Sequence, residues 1–229
     1  MLLDILLTGD IQYALTSFLL SVPIIILILS VHEYAHGLVA KKLGDPTADS
    51  LGRLTLNPIR HIDPIGFVMF LFLGVGYAKP VPINSRYFKK PRRDMALVGA
   101  AGPLANFAMA ILFMIFIKLF HVSLPFMLKT NLEWVPTALN YLYQLLFYGV
   151  FYNLAFMLFN LLPVPPLDGS RIFYAFLPPK ALFWVQRHEQ YFFWGILGIF
   201  VVCSFLNISI IGWAVELIIN LLFKLFFIA

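Results

Sequence analysis

Long apolar stretches separated by short polar ones make up most of the sequence. Residues 11–40 are long enough for one tilted membrane span of about 20 residues, with a turn or two to spare. Residues 95–120, 137–162, 190–206 and 211–227 continue this pattern. The pattern predicts an all-α polytopic membrane protein with about five to six transmembrane helices.

The apolar stretch at residues 65–78 differs from the others. It has about 14 residues, which is short for a bilayer span, and it is interrupted by glycines. We expect a re-entrant or short β element here, between the first two motif-bearing spans. Residues 53–56, just before it, alternate between polar and apolar and favour a short strand.

Composition strengthens the membrane assignment. The 229 residues are 61% hydrophobic and 12% charged, with a mean hydropathy of +0.89. These values exclude an ordinary soluble domain, and we expect one integral-membrane domain over residues 1–229. The net charge of +5 does not indicate a nucleic-acid partner, because excess Lys and Arg in a membrane protein mark its cytoplasmic loops.

The first span carries the motif H-E-Y-A-H at residues 32–36, whose side chains are of the types that bind metals and transfer protons. On a helix, His32 and His36 lie one turn apart on the same face, where they can share one zinc ion. In H-E-x-x-H hydrolases the glutamate, here Glu33, is the general base for the water that zinc activates. The alternative, two hydrogen-bonded packing histidines, is less favoured because such groups are costly to bury in a bilayer-length segment.

A hydrolytic zinc site needs a third protein ligand and an open position. Asp168 is favoured, because it ends a stretch with three prolines at residues 162–169, where regular helix is forbidden. Such backbone is tolerated at membrane depth only where protein buries it or where it lines a watery cavity. A surface turn at Asp168 is the alternative. The other candidate ligands are His61, His121, His188, Asp63 and Asp94.

Three motifs together resemble those of the site-2 proteases, a family of intramembrane zinc metalloproteases. They are H-E-Y-A-H at residues 32–36, G-P-L-A-N at 102–106, and N-L-L-P-V-P-P-L-D-G at 160–169. The last fits the family pattern N-x-x-P-x-P-x-L-D-G. The chain is similar to compact members of the family, and it leaves no room for the PDZ or CBS modules that many members carry.

The resemblance implies cleavage of transmembrane or membrane-tethered proteins in or near the bilayer, with one zinc ion per chain. It implies Asp168 as the third ligand and a place near the substrate for Asn160. We also expect Asn106 to bind substrate, although an interhelical hydrogen bond explains a buried Asn in a span equally well. A zinc transporter and a catalytically inactive membrane binding protein are the alternatives, but neither explains why Glu33 accompanies a complete ligand set.

The basic residues predict the topology. Residues 41–62 carry four Lys or Arg and residues 79–94 carry six. The positive-inside rule places both stretches in the cytoplasm, so residues 65–78 must not cross the bilayer. We therefore predict five crossings in the cell membrane, with the N-terminus outside, the C-terminus inside and the active site toward the cytoplasm.

Overall fold

The computed structural model describes residues 11–66, 78–129, 132–206 and 210–227. Its α-helices are α1 (Ile11–Lys42), α2 (Thr47–Ser50), α3 (Pro91–Met127), α4 (Val135–Asn160), α5 (Asp168–Tyr174), α6 (Pro179–Arg187), α7 (Glu189–Phe205) and α8 (Ile210–Phe227). Short 3₁₀ turns occupy Pro58–Arg60 and Ser85–Tyr87. The all-α architecture predicted from the hydrophobic pattern is confirmed for this part of the chain.

Three helices of the described chain, α1, α3 and α4, are long and apolar enough to cross a membrane. The expected number of five to six spans is therefore not reached by this criterion. The short strand expected at residues 53–56 is wrong, since these residues form no strand. The re-entrant element expected at residues 65–78 falls mostly outside the described residues.

The two ends of that element nevertheless meet. Ile62 and Ala78 form an isolated antiparallel bridge, and the Lys79 amide donates a hydrogen bond to the His61 carbonyl at 2.8 Å. Because residues 62 and 78 are paired, the basic stretches before and after the undescribed residues 67–77 lie at the same end of the molecule.

One apolar core holds the long helices together, and α1, α3, α4 and α8 all contribute to it. In a bilayer the helices satisfy their own backbone groups, so their association depends on close packing of side chains such as these. The buried core residues are Ile24, Ile28, Ala110, Phe113, Met114, Ile117, Val150, Leu154, Met157, Val215, Ile219 and Leu222.

The long helices alternate in direction. His36 of α1 contacts Val98 and His32 contacts Asn106, both in the first half of α3, so α1 and α3 are antiparallel. Helices α3 and α4 are also antiparallel, because Phe120 packs on Tyr143 near the start of α4. The end of α1, the start of α3 and the end of α4 therefore lie together, and we call this the site end.

The helices extend beyond the apolar stretches that predicted them. Helix α3 continues past the apolar stretch at residues 95–120 and ends at Met127. The polar side chains of His121 and Ser123 hydrogen-bond to the backbone carbonyls of Ile117 and Phe120, so they are satisfied within the helix. From Asp168 onward the chain forms two short helices, α5 and α6.

Candidate metal centre

Helices α1 and α5 bring three ligand atoms together at the site end. The Nε2 atoms of His32 and His36 are 3.0 Å apart, and they lie 2.9 and 3.0 Å from Oδ2 of Asp168. The three residues are only 4, 3 and 7% exposed. Their donor set, two imidazoles and one carboxylate, is one that suits a hydrolytic zinc ion.

The spacing of these atoms fits such an ion. Tetrahedral ligands at zinc distances of about 2.0–2.1 Å lie about 3.3–3.4 Å from one another, only slightly farther apart than the atoms seen here. His36 Nδ1 is 2.7 Å from the Val98 carbonyl, which can only accept, so Nδ1 carries the proton of the neutral ring. Its Nε2 lone pair then faces the Asp168 carboxylate, and a cation between them removes their repulsion.

Asp168 reaches this position because of the segment before it. Prolines at 163, 165 and 166 end the regular helix of α4, and Leu167 is extended, so that Asp168 opens α5. Arg171, one turn later, lies 3.7 Å from the second carboxylate oxygen.

Two glycines of α3 allow this helix to approach the site. A Cβ at Gly102 would lie 2.5 Å from His36 Nε2 and 2.6 Å from His32 Nε2. A Cβ at Gly99 would lie 2.9 Å from the Asp168 carbonyl oxygen. Real Cβ atoms are not found this close to other heavy atoms, so α3 can pack against both ligand-bearing helices only because these residues are glycines.

Glu33 is half-buried beside the two histidines and contacts a segment that the sequence did not connect with it. Its Oε2 accepts a hydrogen bond from the Val81 amide at 2.8 Å. Arg53 holds the same segment by donating to the carbonyls of Lys79 and Pro80. The prolines around Val81 indicated an extended segment, but only the tertiary structure shows that it lies against Glu33.

The structure places the two asparagines differently. Asn106 is fully buried, with its Nδ2 3.2 Å from Nδ1 of His32. Asn160 is half-buried at the end of α4 and donates from Nδ2 to the Phe156 carbonyl at 3.0 Å. The Phe156 ring in turn meets the His32 ring edge-on, so Asn160 is one turn away from a residue that packs on the site.

The other candidate ligands have other partners in the described part of the chain. His61 bonds to the Thr55 carbonyl, and the carboxylate of Asp63 caps backbone amides of residues 65 and 66. Asp94 pairs with Arg93. His121 and His188 each lie against a backbone carbonyl one turn earlier in the chain. Among the described residues, the cluster that could hold a metal ion is formed by His32, His36 and Asp168.

Comparison with known proteins shows which family the chain is similar to. The model of Peptidase family M50 matches residues 20–202. YwhC of Bacillus subtilis is 41% identical over 177 residues, which cover 77% of this chain and 78% of the relative. Rip2 of Mycolicibacterium smegmatis is 26% identical over 195 residues, covering 83% of this chain and 68% of the relative. A relative in Methanocaldococcus jannaschii is 28% identical over 168 residues, or 73% and 69% of the two chains.

All three relatives are named as candidate zinc metalloproteases. No solved structure matches the chain. The family match covers well over half of the sequence and includes every residue of the cluster. The three apolar helices long enough to span a bilayer agree with a membrane location. The chain therefore belongs to Peptidase family M50, the site-2 protease family, and is an integral-membrane zinc metalloprotease.

Proposed function

We propose that His32, His36 and Asp168 hold the single zinc ion and that Glu33 is the general base of the peptidase. The substrates are transmembrane or membrane-tethered proteins, which are cut in or near the bilayer. The observation that carries this proposal is the convergence of two Nε2 atoms and one carboxylate oxygen, all buried, beside Glu33. We further propose that residues 1–229 act as one domain.

Zinc at this site supplies a Lewis acid, which lowers the pKa of water and polarises the scissile carbonyl. Glu33 follows His32 on the same helix, and among the described residues its hydrogen-bond partner is the Val81 amide, at Oε2. Its Oε1 is left to accept the proton of the attacking water and return it to the leaving amine. The Val81 amide fixes the carboxylate in place, so its orientation does not depend on the substrate.

A substrate helix hides its carbonyls in its own hydrogen bonds and must unwind before it can be cut. Asn160 is suited to bind the unwound backbone, because the hydrogen bond that its side chain makes within the described chain uses one Nδ2 proton and leaves Oδ1 and the other proton for substrate. It can accept from a substrate amide or donate to the developing oxyanion. Asn106 is fully buried next to His32, which favours action through the ligand over direct substrate contact.

The proposed ligand set is tested by the zinc content of purified variants. Wild-type protein should hold about one zinc per chain, and His32→Ala, His36→Ala and Asp168→Ala should each lose it together with cleavage. His61→Ala is the matched control, because the hydrogen-bond partner of this buried side chain among the described residues is the Thr55 carbonyl. Full zinc content in Asp168→Ala, with loss in His61→Ala, would show that the third ligand is wrong.

Glu33→Gln separates the base from the ligands. The amide oxygen of glutamine still accepts from Val81, so we expect normal folding and zinc content. Cleavage of a membrane-embedded substrate should fall by about 10²–10⁴-fold, because the amide cannot take up a proton. Cleavage near the wild-type rate, in protein of normal zinc content, would remove Glu33 from this role.

A further inference from the structure

Asn106 is a fully buried polar side chain in the middle of α3, and its bonding is incomplete. Its Nδ2 lies 3.2 Å from Nδ1 of His32, while its Oδ1 is buried with no hydrogen-bond partner among the described residues. A buried carbonyl oxygen without a partner is costly. Turning this oxygen toward a hydrogen-bond donor would therefore stabilise the protein. His32 Nδ1 is the polar atom beside the carboxamide.

The two ring nitrogens of His32 have linked roles. A neutral imidazole carries one proton, so Nε2 can offer a lone pair to a metal only when Nδ1 carries the proton. His36 meets this condition because its Nδ1 faces the Val98 carbonyl. Among the described residues, the partner at Nδ1 of His32 is the Asn106 carboxamide and not a backbone carbonyl. With Nδ2 toward His32, Asn106 donates and the ring proton is on Nε2; with Oδ1 toward His32, the proton is on Nδ1.

We propose that Asn106 is a positioning residue for the zinc site: in the zinc-loaded protein its Oδ1 accepts the Nδ1–H of His32. The carboxamide turns over between the two orientations, and the turned orientation gives the unpaired oxygen its partner. The lone pair of His32 Nε2 is then directed at Asp168 and the metal. This inference rests on the proposed role of His32 as a ligand, and it changes the expected role of Asn106 from substrate binding to support of that ligand.

The position of Asn106 on α3 agrees with this role. Gly102 lies one turn before it on the same face, and the space that a Gly102 side chain would fill is taken up by the imidazoles of His32 and His36. One glycine thus lets α3 approach the ligands, and one asparagine then reaches the far side of His32. This pairing gives a physical reason for a glycine and an asparagine four residues apart in the G-P-L-A-N motif.

The test is the zinc affinity of Asn106 variants, measured in metal-free purified protein by competition with a chelator. Asn106→Leu removes the acceptor and should weaken zinc binding by about 10–100-fold, as loss of a histidine's hydrogen-bond partner does at other zinc sites. Asn106→Asp retains an acceptor but has no N–H, so it should retain the wild-type affinity. The cobalt-substituted variants should differ in the same way: the visible spectrum should change in Asn106→Leu and stay as in the wild type in Asn106→Asp.

Asn153→Leu is the matched control. Asn153 is also fully buried in a long helix, donates to the Gly149 carbonyl and has an Oδ1 without a hydrogen-bond partner among the described residues. It has no contact with the ligands, so zinc affinity should not change. Wild-type affinity in Asn106→Leu, or an equal loss in Asn106→Asp and Asn106→Leu, would overturn the inference. If Asn106→Leu does not fold, Asn106→Asp decides alone: retained affinity supports the acceptor role and lost affinity refutes it.

The zinc content of His32→Ala distinguishes a wrong role for Asn106 from a wrong ligand assignment in the proposed function. If His32→Ala loses zinc while both Asn106 variants behave as wild type, the ligand set stands and only the role of Asn106 is wrong. If His32→Ala retains zinc, the ligand assignment itself fails.

Discussion

At the scale of single residues, the metal centre depends on Gly102 because this residue has no side chain. A methyl group there would lie 2.5–2.6 Å from the Nε2 atoms of both His32 and His36. We expect Gly102→Ala to lower zinc affinity by more than about tenfold, because displaced imidazoles no longer match zinc geometry. Zinc titration of the purified variant checks this.

Gly198→Ala is the control for the glycine prediction. Gly198 lies in the helix α7, and no atom of the described residues stands within 4 Å of its Cβ position. Its replacement should leave zinc binding unchanged, because alanine is tolerated at open helical positions. Equal losses in the two variants would mean that glycine is needed for helix flexibility and not for room at the site.

The sequence predicted the ligand cluster at the residue scale but not its supports. The spacing of His32 and His36 follows from helix periodicity, and the prolines before Asp168 pointed to a carboxylate held by irregular backbone. The contact of Asn106 with His32 and that of Val81 with Glu33 join residues 74 and 48 positions apart. Such contacts depend on how closely helices pack, which no local pattern encodes.

At the scale of elements, the extended segment at residues 79–84 depends on a buried acid. Asp45 is fully buried and accepts hydrogen bonds from the Thr47 amide, the Thr47 hydroxyl and the Asn84 amide. It thereby connects the end of α1 with the far end of the segment that contacts Glu33. The sequence showed Asp45 only as part of a Gly-Asp-Pro turn, because its distant partner Asn84 is reached by tertiary folding.

Asp45→Ala should destabilise the protein by about 2–4 kcal/mol, because it leaves buried backbone and hydroxyl donors without an acceptor. Thermal unfolding in detergent measures the loss. Asp49→Ala is the control, since Asp49 is about half exposed and pairs with Lys41 on the surface. That change should cost about 0–1 kcal/mol. Equal effects of the two substitutions would argue against the anchoring role of Asp45.

At the scale of the whole molecule, basic residues collect at the site end. Only three of the 16 Lys and Arg residues lie elsewhere, namely Lys118, Lys129 and Lys224. The others lie near the ends of the long helices that meet there, and Arg92 connects the start of α3 to the Leu177 carbonyl after α5. The positive-inside rule therefore predicts that the site end, and with it the metal centre, faces the cytoplasm.

Single cysteines test this orientation in a Cys203→Ser background. Ser85→Cys and Lys180→Cys replace exposed residues of the site end and should react with a membrane-impermeant thiol reagent only from the cytoplasmic side. Glu133→Cys, in the connection between α3 and α4, should react only from outside. Reaction of Ser85→Cys from outside in sealed cells would reverse the orientation.

The charge pattern and the packing of α8 indicate opposite directions for this helix. Charge alone predicted five crossings with the C-terminus inside, since Lys224 lies near the end of the sequence. In the structure the ring of Phe227 lies 5.2 Å from that of His121, near the end of α3 that points away from the metal centre. The end of α8 therefore lies away from the site end, whereas the charge pattern put the two on the same side. A single lysine is a weak topological signal, and α8 packs Val215, Ile219 and Leu222 against the other helices.

A short bifunctional thiol cross-linker tests the direction of α8 in the Cys203→Ser background. His121→Cys combined with Phe227→Cys should be cross-linked in native membranes, because the two side chains are in contact. His121→Cys combined with Ile211→Cys should not, because 16 residues of helix, or about 24 Å, separate Ile211 from Phe227. Cross-linking of the Ile211 pair alone would mean that α8 runs toward the site end, as the charge pattern had predicted.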